Sequence, residues 1–142
     1  MSAVQQILLG TGLLTFSALV HVGSIALSSP HFPRIAGLFG AKRWPRLRVV
    51  AMLSFSIFVL VLAHTLQVWT WSLVFSWITE LPDLVTSCYF ATVTYTTLGY
   101  GDIVLGQDAR IVATFCAITG VLTFGISTAF LIGVCRESCR MF

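Results

Sequence analysis

The sequence predicts an all-α membrane protein: three transmembrane helices, with a re-entrant half-helix and an extended glycine-containing segment between the second and third. Three observations carry that prediction. Of the 142 residues, 57% are hydrophobic and only 9% charged, with mean hydropathy +0.94, whereas soluble domains carry about 25% charged residues. The charges are bunched, with none before Arg34, none between Arg48 and Glu80 and none between Arg110 and Arg136. Between the last two apolar runs lies TTLGYGDI, residues 96–103, in which two glycines, a tyrosine and an aspartate interrupt an otherwise apolar chain.

A spanning helix needs about 20 predominantly apolar residues. Residues 4–27, 49–75 and 111–134 each meet that length. The first run follows MSAVQQ, which lacks a basic leader, and it exceeds the apolar core of a signal peptide. It is expected to be a retained helix. Arg34, Lys42, Arg43, Arg46 and Arg48 follow that run, and Arg136 and Arg140 follow the last. By the positive-inside rule both stretches are expected on the cytoplasmic side, which puts the N-terminus outside and the C-terminus inside. The basic segment 28–48 is suited to lie on the inner membrane face against anionic lipid.

The segment from Glu80 to Arg110 leaves and re-enters on the outer side, yet PDLVTSCYFATVTY within it is too apolar for a solvated loop. Too short to span, it reads as a half-helix over 82–94, opened by Pro82 in its first turn. Its C-terminal end then points into the membrane. Non-helical backbone at that depth is tolerated only where it is buried in protein or lines a water-filled path. Gly99 and Gly101 alternate with Leu98 and Tyr100. Glycine enters the left-handed region at little cost, so the alternation turns successive carbonyls toward one side. A ladder of oxygens facing one axis is a cation site.

TYTTLGYGD resembles the selectivity filter of the potassium channel pore-domain family, whose pattern is Thr-Val-Gly-Tyr-Gly-Asp, and the resemblance extends over about 49–134. It implies that Thr97, Leu98, Gly99, Tyr100 and Gly101 form the filter. The backbone oxygens of the first four, with the Thr97 hydroxyl, replace the hydration shell of potassium. Asp102, Tyr89 and Thr94 are the implied supports behind it. Tyr89 is placed to donate to Asp102, and Thr94 to meet the Tyr100 hydroxyl. Each chain carries one such strand, so a homotetramer is expected. The chain departs from the pattern at Leu98, which lacks the usual β-branch, and at Tyr89 and Phe90, which stand where relatives carry a tryptophan pair.

In the third apolar run, Gly120 and Gly125 stand where similar channels carry a hinge and a second small residue; small residues also serve helix packing. Helical spacing puts Val121, Phe124, Gly125, Thr128 and Ile132 on one face, and the resemblance implies that this face lines a cavity below the filter. Cys88, Cys116, Cys135 and Cys139 show no metal-binding spacing and read as small apolar side chains. His21 and His64 fall inside spanning runs, where neutral imidazoles bonded to a neighbouring helix are expected. Trp69, Trp71 and Trp77 suit an outer interfacial belt.

No run carries Arg at every third position, which argues against a voltage sensor. The tail CRESCRMF is too short to hold a ligand-gating module. No pair of intramembrane acids or histidines has catalytic spacing, so no enzyme is expected. The division is then 1–48 for the first helix and basic loop, 49–135 for the pore-like unit and 136–142 for a short tail. The expected function is passive, potassium-selective conduction across a cell membrane. The expected partners are potassium ions as permeant ligand, membrane lipid and further copies of the chain, with no other cofactor and no nucleic acid. The rival readings are a weakly selective cation channel and a non-conducting regulatory or assembly subunit.

Overall fold

A computed structural model of the chain describes residues 1–32, 34, 37 and 45–139. Lys42, Arg43 and Arg140 lie outside the described residues, as does most of the surface segment expected over 28–48. Among the described residues the regular structure is helical throughout. Helix α1 spans Ala3–Ser28 and runs into a 3-10 turn, Ser29–His31; α2 spans Pro45–Ile78, α3 Leu84–Tyr95 and α4 Arg110–Cys139. Helices α1, α2 and α4 are long and apolar enough to cross a membrane. The 12 residues of α3 extend only about 18 Å at 1.5 Å per residue, well short of a bilayer core.

Local chemistry sets the helix ends. Ser2 caps α1: its hydroxyl accepts from the Gln5 amide while the Gln5 side chain accepts from the Ser2 amide at 2.9 Å. The two reciprocal bonds satisfy donors that the first turn leaves free. At the other end Pro30 lacks the amide that would continue the helix. Helix α3 starts two residues later than the sequence suggests. Asp83 is its cap, accepting from the Thr86 amide at 2.6 Å, so Pro82 stands outside the first turn.

Helices α1 and α4 run parallel, tied at matching heights. Gln6, buried on α1, accepts from the Ile111 amide at 3.0 Å and donates to the Gln107 carbonyl at 2.9 Å, capping the start of α4. Farther along, Gly10 sits against the Phe115 ring, leaving no room for a Cβ. Deeper still, His21 meets Ser127 at 2.9 Å. The bonded pairs are 105 and 106 residues apart in the chain, so the two helices hold one register along their length. Helix α2 packs against both.

The core lies where α2, α3 and α4 converge, built from Trp71, Phe75, Phe90, Ala91, Tyr95, Val112 and Cys116, with Leu9 and Leu13 of α1 packed against it. Phe90 meets Phe75 edge-on with ring centroids 5.0 Å apart. Its missing polar donor is therefore offset by buried aromatic packing. Trp71 corrects the belt expectation: it is 1% exposed inside this core, while Trp69 and Trp77 remain at the surface.

Candidate functional site

The site begins at the end of α3. The Thr92 and Thr94 carbonyls accept from the Thr96 and Thr97 amides at 3.0 Å, and the Val93 carbonyl accepts from the Gly99 amide at 3.4 Å. The chain therefore doubles back on the helix end without continuing it. Thr97, Gly99 and Gly101 have φ of 61°, 56° and 79°. Every second residue across five positions is left-handed. Such alternation turns successive peptide carbonyls toward one side, as the glycine pattern suggests, but it starts one step earlier, at a threonine. Residues 97–102 are exposed in the single chain, with Leu98 at 59% and Tyr100 at 68%.

Behind this strand, the Tyr89 hydroxyl donates to Asp102 Oδ2 at 2.6 Å, joining the middle of α3 to the residue after Gly101. Bonding to that carboxylate raises the Tyr89 phenol above its ordinary value of 10.0. The Thr86 amide, donating to Asp83, lowers the Asp83 carboxyl below its ordinary 3.8. Thr94 and Tyr100 are not bonded to each other within the chain. The Asp108 carboxylate takes the Met1 amino group at 3.0 Å, so the start of α1 and the 80–110 segment share one end of the molecule.

Helix α4 packs on the other side of the α3 terminus. Gly120 lies directly under the Tyr95 carbonyl, and a Cβ there would collide with that oxygen and its carbon. This close approach gives Gly120 a packing role at the base of the strand. Gly125 has nothing within 4 Å of where a Cβ would stand. Val121, Phe124, Gly125, Thr128 and Ile132 are all exposed, on the side of α4 that the single chain leaves uncovered.

Tyr95, the last residue of α3, is 1% exposed and turns into a buried polar cluster. Its hydroxyl donates to Gln67 Oε1 at 2.7 Å and lies 2.7 Å from Thr123 Oγ1 and 2.8 Å from His64 Nδ1. His64 Nε2 is 3.0 Å from Ser127 Oγ, which also meets His21 Nε2, and Gln67 Nε2 reaches His21 Nδ1 at 2.9 Å. All four helices contribute. Bonds between membrane helices average about 0.6 kcal/mol, so the closed set matters more than any member. His21 and His64 were legible in the sequence, but Gln6, Gln67, Tyr95, Thr123 and Ser127 were not. The available signal was polar side chains inside spanning runs, with His64 and Gln67, and Thr123 and Ser127, at helical spacing.

Among the described residues no group of three or more His, Cys, Asp or Glu gathers to hold a metal. What the arrangement presents is an exposed strand with alternating backbone, anchored on a half-helix and backed by α4. Comparison with curated proteins and with solved structures finds no match. A family model described as ion channel matches residues 49–137, which takes in nearly all of α2, the half-helix, the alternating strand and α4. That span is more than half of the chain, and the protein belongs to this ion channel family.

Proposed function

We propose that the protein is a potassium-selective channel subunit, four copies of which surround one conduction path. The observation that carries this reading is the left-handed alternation at Thr97, Gly99 and Gly101 within TTLGYGD, at the end of a half-helix. Backbone oxygens of Thr97, Leu98, Gly99 and Tyr100, with the Thr97 hydroxyl, replace the hydration shell of the ion, and adjacent sites let ions repel one another onward. The C-terminal end of α3 adds a partial negative charge, about half an elementary charge, below the filter. Tyr89 and Asp102 hold the outer end of the strand. The face of Val121, Phe124, Gly125, Thr128 and Ile132 lines the water-filled cavity.

The one-sided strand supports four-fold assembly. One strand offers oxygens from one side only, and a desolvated ion needs them all round. The exposed Val85, Tyr89, Leu98, Tyr100 and Val121 would be covered by neighbouring copies in such an assembly. With the N-terminus outside, the acidic residues of 80–108 face the outer vestibule of a cell membrane.

Potassium flux from liposomes holding the purified chain tests this reading without an assumed stimulus. The parent chain is expected to release potassium, and Gly99→Ala to release none while remaining inserted and assembled. Potassium release by Gly99→Ala at the parent rate would remove the filter assignment.

A further inference from the structure

The family likeness covers residues 49–137, yet Gln6 of α1 reaches the segment that carries the chain away from the strand. That segment, 103–109, joins Asp102 to the first residue of α4. Leu105 and Ala109 are buried in the core, and Ile103 packs against it. The Gly106 carbonyl accepts from the Ala109 and Arg110 amides at 3.2 and 3.1 Å, folding the segment into a turn at the start of α4. Gln6 completes the attachment. Buried on α1, its side chain accepts from the Ile111 amide at 3.0 Å and donates to the Gln107 carbonyl at 2.9 Å.

Those two backbone groups are four residues apart, the spacing at which a helix bonds an amide directly to a carbonyl. The neighbouring steps do so: Arg110 bonds to Gly106, and Ala113 to Ala109 at 3.2 Å. Between them the Gln6 amide stands inside the ladder, taking the Ile111 proton and giving its own to Gln107. A side chain inserted in this way holds the winding open. Gln6 therefore sets where α4 begins, and with it the length of chain left to reach back to Asp102.

We propose that Gln6 is a positioning residue for the Asp102 end of the filter, acting through the 103–109 turn, and that α1 thereby steadies the conducting shape. Asp102 is held on one side by Tyr89 of α3 at 2.6 Å, and on the other by the turn that Gln6 ties to α1 and α4. Without Gln6, the Ile111 amide is free to close on the Gln107 carbonyl. The turn then winds into α4 and draws on its connection to Asp102. A strand held less firmly at that end leaves its conducting shape more often. An ion among its oxygens opposes the change, because whatever binds one shape stabilises it by mass action. This inference rests on the filter reading of 97–101.

Potassium current through the reconstituted chain under sustained driving force tests it. Gln6→Leu removes both bonds, and its current is expected to decay at least about threefold faster than the parent's, the scale of a lost hydrogen bond. Raising potassium about tenfold should slow that decay, by the same mass action. Gln5→Leu removes an exposed bond at the start of α1 and leaves the bridge in place, so its current should decay as the parent's does. Should Gln6→Leu fail to assemble, Gln6→Glu keeps an acceptor for Ile111 but loses the donor to Gln107, and its current should decay at least about twofold faster than the parent's. Decay at the parent rate in the assembled Gln6 variant, equally fast decay in Gln5→Leu, or decay indifferent to potassium would overturn the proposal while leaving the filter reading intact. Absence of potassium current from the parent would overturn both.

Discussion

Thr97 is the residue at which the sequence understated the site. Gly99 and Gly101 announce a left-handed backbone because glycine has no Cβ to clash, whereas a β-branched threonine at φ 61° must be held there by its surroundings. Its amide bond to the Thr94 carbonyl is one such constraint, and nothing in composition or periodicity announces it. At the glycines the consequence is direct. Alanine at Gly99 or Gly101 adds a methyl to a left-handed residue at a cost of about 1–2 kcal/mol. Loss of potassium flux with the assembly state unchanged is expected, and flux together with native mass spectrometry checks it. Tyr89 and Asp102 belong to the same scale, and their 2.6 Å bond joins two positions whose resemblance-based pairing was legible. Tyr89→Phe should hasten the loss of current under sustained driving force, and Asp102→Asn should do the same without adding to it. A double-mutant cycle in the decay rate reads the coupling directly; a value near zero would mean that the bond does not brace the filter.

The half-helix shows what patterning can and cannot reach. Its existence followed from an apolar stretch too short to span, but its start did not, because Pro82 and Asp83 are both favourable opening residues. The bond from the Thr86 amide to Asp83 decided between them. Because Asp83 titrates below its ordinary value when folded, its cap is fully present above that value and is lost as pH falls through the lowered one. At neutral pH Asp83→Ala should therefore lower the thermal stability of the solubilised protein, and Asp83→Asn, which still caps, should lower it less. At the other end, Gly120 read equally as a hinge or a packing glycine, and its close approach to the Tyr95 carbonyl needed three dimensions to see. Gly120→Ala forces backbone apart, with an overpacking cost of about 1–3 kcal/mol. Flux should drop at least as much as with Gly125→Ala, where a methyl meets open space. A Gly120→Ala channel conducting at parent rate would contradict the packing role.

At the scale of the whole molecule, three helices long and apolar enough to span and a short fourth between the last two were legible from charge bunching and the lengths of the apolar runs, because a bilayer imposes length and polarity so strongly. The place of α1 was not. Its parallel register with α4 depends on Gln6, Gly10 and His21 meeting residues more than a hundred positions away, and no local pattern encodes that pairing. Assembly is the other property that one chain does not display. Native mass spectrometry in a detergent that preserves flux should find particles of four 15.5 kDa chains. A monomer or dimer as the largest conducting species would remove the shared pore. Potassium selectivity stands above both, and the reversal potential of the reconstituted chain, with potassium on one side and sodium on the other, measures it most directly. A filter of backbone oxygens predicts a potential that follows the potassium ratio at about 59 mV per tenfold change, the slope for a single charge. A potential near zero in symmetrical totals of the two ions would contradict potassium selectivity and leave a weakly selective cation channel in its place.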